Sequence, residues 1–141
     1  MSSGNPSKHI FLAPEPRAMS EIFDEDDLAR LRAVGDVFVH ESGPVTDALF
    51  DEKAANADII IGQFDLPESR LKRARSLRAV FNVESNFLPN IDYDYCFRNG
   101  IRVLSTSPVF AEPVAEAALG MAIDLARGIS KSDRDFRQGT E

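Results

Sequence analysis

Few residues in this chain could do chemistry unaided. It has two histidines, His9 and His40, and one cysteine, Cys96. A histidine acting as acid or base needs an acidic orienting partner and a cleft, and the sequence sets neither beside them. Both read as structural or exposed residues at strand ends. Cys96 lies between Tyr95 and Phe97 in a helical stretch, which suits a small packed residue better than a nucleophile. Four consecutive carboxylates, DEDD at 24–27, spread around a helix axis instead of converging on a metal, so they read as a solvated helix start. The basic RLKRAR at 70–75 reads as the exposed face of one amphipathic helix. No catalytic set and no metal site is expected among these residues.

The elements that would position a site are easier to read. HIFLAP at 9–14 is a short buried strand stopped by Pro14 and Pro16. SEIFDEDDLARLRAVG at 20–35 has helical spacing at Ile22, Leu28 and Leu31, with Gly35 as its C-cap. DVFVHE, DIIIGQF, LRAVFNV and IRVLSTS supply four more strands. Between them lie TDALFDEKAANA, with Thr46 or Asp47 as N-cap, then PESRLKRARS and PNIDYDYCFRNG, the last closing on Gly100. Five strands alternating with helices predict an α/β domain: a flavodoxin-like parallel five-stranded sheet in the order 2-1-3-4-5, with helices on both faces. A chain of 141 residues, 43% hydrophobic and 28% charged, can bury the core this requires. Its net charge of -7 argues against nucleic acid or an anionic membrane as partner. With no apolar run of membrane-spanning length and no signal-peptide pattern in MSSGNPSKH, a cytoplasmic protein is expected.

Two segments stand apart from this alternation. FAEPVAEAALGMAIDLARG at 110–128 is apolar almost all round, broken only by a narrow strip of Glu116, Asp124 and Arg127. Such a helix needs partners on two sides. NVESNFLPN at 82–90 follows the fourth strand at its carboxyl end, the edge where ligands collect in open α/β sheets.

From 77 to 127 the sequence resembles the D-isomer-specific 2-hydroxyacid dehydrogenases. The marks are NID at 90–92, NGIRV at 99–103, SP at 107–108 and VAEAAL at 114–119. Arg127 and the later DFRQGTE also look like the family. The resemblance implies a substrate-binding domain at 1–107. It further implies, at 108–141, a long C-terminal interdomain helix starting at VAE and the beginning of the path to an absent NAD-binding domain. It places the loop that holds the substrate carboxylate at Glu84, Ser85 and Asn86, where many members have glycines and one residue fewer. It sets Val114 near the nicotinamide, with Phe110 where members often have Asn. The family's catalytic Arg, Glu and His lie beyond a glycine-rich phosphate loop, and no G-x-G-x-x-G occurs here.

The implied activity is hydride transfer between a small 2-hydroxy or 2-keto acid and NAD or NADP, in a complete protein expected to be a homodimer. The chain alone is expected to bind no cofactor and to be inactive. Two alternatives are a non-enzymatic flavodoxin-like binding or signalling module and a regulatory relative of the dehydrogenases. A phosphoacceptor module would need a Lys ending the fifth strand, where this chain has LSTSP.

Overall fold

The computed structural model describes residues 8–84 and 86–140. Its first unit runs β1 (Lys8–Ala13), α1 (Met19–Ile22), α2 (Glu25–Val34), β2 (Gly35–Val39), α3 (Asp47–Leu49) with a π-helical turn (Phe50–Ala54), and β3 (Ile59–Gly62). It continues through α4 (Glu68–Leu71), β4 (Ala79–Phe81), α5 (Tyr93–Arg98) and β5 (Arg102–Leu104). The sheet order is β2-β1-β3-β4-β5 and every pairing is parallel, as the alternation predicts. Parallel neighbours need crossovers, and right-handed ones send α1 and α2 to one face and the later helices to the other.

The two faces are unequally packed. Adjacent residues of a strand point to opposite faces, so the register sorts side chains into rows. Phe11, Ile60 and Val80 form one row and are all fully buried. They join Phe50, Leu71 and Cys96 from the helical segments in a single core. The next row is Leu12, Ile61, Phe81 and Leu104. Leu12 is fully buried, whereas Phe81 is 36% and Leu104 39% exposed, so this face opens toward the β4–β5 side. The α2 helix buries none of its own residues.

Three local expectations change. The helix expected over 20–35 breaks at Phe23, which is extended, and Asp24 then caps a second helix by accepting from the Asp27 amide at 2.7 Å. A side chain that can satisfy an orphan amide offers the backbone an alternative to continuing the first helix. Gly35 does cap α2 as expected, but in an extended conformation, because it is also the first residue of β2. Its need for glycine is close approach, since a Cβ there would lie 2.2 Å from the Lys8 carbonyl oxygen. The basic helix is only Glu68–Leu71, and Arg70 is not on an exposed face. Its side chain is 14% exposed and donates to Asp47 Oδ1 and the Val45 carbonyl, both at 2.8 Å, and to the Asp65 carbonyl at 2.9 Å. The guanidinium also lies 5.4 Å from the Phe50 ring centre. A planar fork with fixed donors suits this tie between three segments.

The chain divides after Thr106 into a second compact unit. It contains α6 (Ser107–Arg127) and α7 (Ile129–Arg137). The α6 helix begins seven residues before VAE and runs through Pro113, whose missing N–H leaves the Val109 carbonyl without its usual helical donor. It ends at Gly128, which adopts a left-handed conformation with φ +64°. Asp124 then accepts from the Ser130 amide at 2.6 Å and the Ser130 hydroxyl at 2.8 Å. These bonds hold the Asp124 carboxyl below its ordinary range. No residue of α6 is buried.

Candidate functional site

Parallel strands deliver their following loops to one edge, and here the loops after β1, β3 and β4 meet around three polar side chains. Gln63 directly follows β3, and Glu84 lies three residues beyond the end of β4. Arg17 Nη2 donates to Glu84 Oε1 at 3.0 Å, forming an ion pair. Gln63 Nε2 donates to Glu84 Oε2 at 3.3 Å, and the Glu84 amide donates to Gln63 Oε1 at 3.0 Å. The Glu84 carboxylate thus has a partner on each oxygen, while its own amide is occupied by a side chain. The pair is partly exposed, so it contributes only about 0.2–1 kcal/mol. That is weak enough for a ligand to displace.

Beside this network lies a cavity of about 260 Å³ lined by Glu15, His40, Gly43 and Gln63, among others. Its rim is held by the Gly43 amide, which donates to Glu15 Oε1 at 2.9 Å, and by a 2.9 Å contact between His40 Nε2 and the Gly43 carbonyl. His40 therefore serves a turn, while His9 is an exposed residue 3.8 Å from Asp36.

The loop after β4 is anchored by Asn82, which is 1% exposed. Asn82 Nδ2 donates to the Asn86 carbonyl at 3.3 Å, and its Oδ1 accepts from Asn90 Nδ2 at 3.4 Å. A buried amide satisfied at both ends fixes the start and finish of the loop together. Phe87 stands out of the loop and meets the Tyr93 ring edge-on at 5.9 Å. The following helix is capped by Asp92, whose Oδ1 accepts from the Tyr95 amide at 2.8 Å. Burial, with the nearby charge of Asp92, pushes the Cys96 thiol up to about 11, as befits a packed residue.

Of the residues expected at a site, Glu84 and Asn86 share this loop, and Ser85 between them lies outside the described residues. Val114 belongs to the second unit, on α6, and is 63% exposed. Sequence reasoning passed over Arg17 and Gln63. The usable signal was position, since each falls within four residues of the carboxyl end of a strand, where ligands collect. Among the described residues no group of three His, Cys, Asp or Glu side chains is placed to hold a metal ion. No described helix is long and apolar enough to cross a membrane.

The parallel sheet with its long C-terminal helix, taken with NID, NGIRV and VAEAAL, is the pattern of the D-isomer-specific 2-hydroxyacid dehydrogenases, and comparison with known proteins supports that resemblance. The chain is similar to a phosphoglycerate oxidoreductase from Rhizobium etli, at 41% identity and a TM-score of 0.82. That match covers 95% of this chain and 42% of the other. It is 30% identical over 86 residues to a glyoxylate/hydroxypyruvate reductase of Arabidopsis thaliana, covering 61% of this chain and 26% of that protein. The fold alone is shared with an NADPH-dependent glyoxylate/hydroxypyruvate reductase from Sinorhizobium meliloti, at 23% identity and a TM-score of 0.59, over 94% of this chain and 39% of that one. No protein-family model matches the chain. The chain thus spans less than half the length of each of these relatives.

Proposed function

We propose that this chain is the substrate-side part of an NAD(P)-dependent 2-hydroxyacid dehydrogenase, with residues 1–107 forming the substrate-binding domain and 108–141 the link toward a nucleotide-binding domain. The observation that carries the reading is the 41% identity to a phosphoglycerate oxidoreductase over nearly all of this chain. In a complete protein a bound nicotinamide cofactor would supply the hydride-transfer chemistry. This chain's residues do not fit that cofactor, because the sequence contains no glycine-rich pyrophosphate turn. No chemical step is therefore assigned to them.

Their share is binding. The loop carrying Glu84, Ser85 and Asn86 offers backbone amides, not its side chains, to the carboxylate of a small 2-hydroxy or 2-keto acid, and Val114 lies toward the nicotinamide. The complete protein works as a homodimer in the cytoplasm. The single free and buried Cys96 supports that compartment, since it leaves no disulfide to be protected.

The test is an assay of the 141-residue chain beside a version continued through its downstream coding sequence. The longer protein should oxidise NADH or NADPH with a 2-keto acid, and the chain alone should neither bind NADH nor turn over. A downstream sequence without a dinucleotide turn, or saturable micromolar NADH binding by the short chain, would overturn the reading.

A further inference from the structure

We infer that Glu84 sets the ligand specificity of the sheet edge by occupying, with its own carboxylate, the position that an incoming carboxylate takes on Arg17 and Gln63. The inference rests on the substrate-edge reading above and deepens it. A carboxylate ligand wants a guanidinium and neutral donors converging from different loops. Arg17 and Gln63 are such donors. They come from the loops after β1 and β3, and both are aimed at one carboxylate, 3.0 and 3.3 Å from its two oxygens. That carboxylate belongs to the loop itself.

The occupied arrangement is reinforced from the backbone, because the Glu84 amide donates to Gln63 Oε1. This turns the Gln63 amide group so that its nitrogen faces the Glu84 side chain. A 2-hydroxy or 2-keto acid entering from the adjoining cavity must replace Glu84 on Arg17. The side chain therefore acts as an internal competitor: it disfavours weakly held monocarboxylates and admits acids with further groups to contact. In this account Arg17 is the ligand's ionic partner and Gln63 its orienting donor, added to the backbone amides that the loop after β4 contributes.

The test compares the intact 141-residue chain with Glu84→Gln and Arg17→Gln, each titrated with sodium glycolate at constant ionic strength and followed by backbone amide NMR shifts. Thermal unfolding checks that each variant stays folded. Glu84→Gln keeps the shape and removes the competing charge, so glycolate should bind it up to about fivefold more tightly than the parent, with shifts centred on Arg17, Gln63 and 82–90. Arg17→Gln should bind up to about fivefold more weakly than the parent.

Equal affinity of parent and Glu84→Gln, with shifts in that loop, would overturn the inference and leave the substrate-edge reading standing. Shifts confined elsewhere, or no binding even by Glu84→Gln, would overturn both. Tighter binding of ethylammonium than of glycolate by the parent, lost in Glu84→Gln, would also overturn the inference, because Glu84 would then be a ligand-binding anion and not a competitor.

Discussion

Two apolar regions of this molecule meet opposite fates. In β1, Phe11 and Leu12 are fully buried. In α6, Val114, Leu119, Met121 and Leu125 are 62–84% exposed. Sequence composition treats the two alike, since both are dense in residues that gain about 1.5–3 kcal/mol each on burial. The difference is where the partner comes from. The β1 strand finds its cover within the first hundred residues, brought there by crossovers. Most of the α6 wheel is apolar, so a cover on one side would not suffice, and its own unit supplies only the short, charged α7. On that ground we read α6 as an interaction face.

Mutations should separate the regions by size of effect. Phe11→Ala empties a filled core site and should cost about 3–5 kcal/mol in urea unfolding. Leu125→Ala, on a face that makes no core, should stay within about 0.5 kcal/mol. Equal costs would break the comparison. Gly35→Ala comes next, because the added carbon meets the Lys8 carbonyl and β1–β2 pairing must shift, at about 1–3 kcal/mol. Arg70→Ala removes the donor shared by the Val45 and Asp65 carbonyls and should cost a similar 1–3 kcal/mol.

A smaller effect appears with pH. The His9 amide, with Lys8 beside it, holds the Asp58 carboxyl below its ordinary range. A depressed carboxyl stabilises the fold above its unfolded pKa, and that contribution is lost as pH falls through the lowered value. Asp58→Asn should therefore flatten the acid limb of the stability profile and leave its shape near neutrality unchanged. The least effect on the fold is chemical. Cys96 should resist iodoacetamide at pH 8 in the native chain and react fully once unfolded.

How much of this was legible depended on range. The five strands and their order follow from Ile and Val runs separated by helix-length segments, so local pattern and topology rules sufficed. The Asp24 break was harder, because the same acidic residues suit either a helix interior turn or a new cap. Arg70 looked like surface charge, since nothing local distinguishes a solvated arginine from one whose partners lie 5, 23 and 25 residues away. The Arg17–Glu84 pair spans 67 residues and has no sequence signature at all. The start of α6 lay outside what the family pattern could give. The resemblance implied a start at VAE, whereas the helix begins at Ser107 and passes through Pro113.

The claim that α6 presents a face for a partner outside its own fold is tested most directly by sedimentation velocity of the 141-residue chain and of a Met121→Glu/Leu125→Glu double variant. These two side chains are 62% and 84% exposed, so placing charges there should leave the thermal unfolding of the first unit unchanged. The account predicts that the parent chain self-associates as concentration rises and that the double variant sediments as a monomer with the same unfolding midpoint. A parent chain that stays monomeric at all concentrations, paired with a variant that unfolds at a lower temperature, would contradict it by showing that the helix already has its cover.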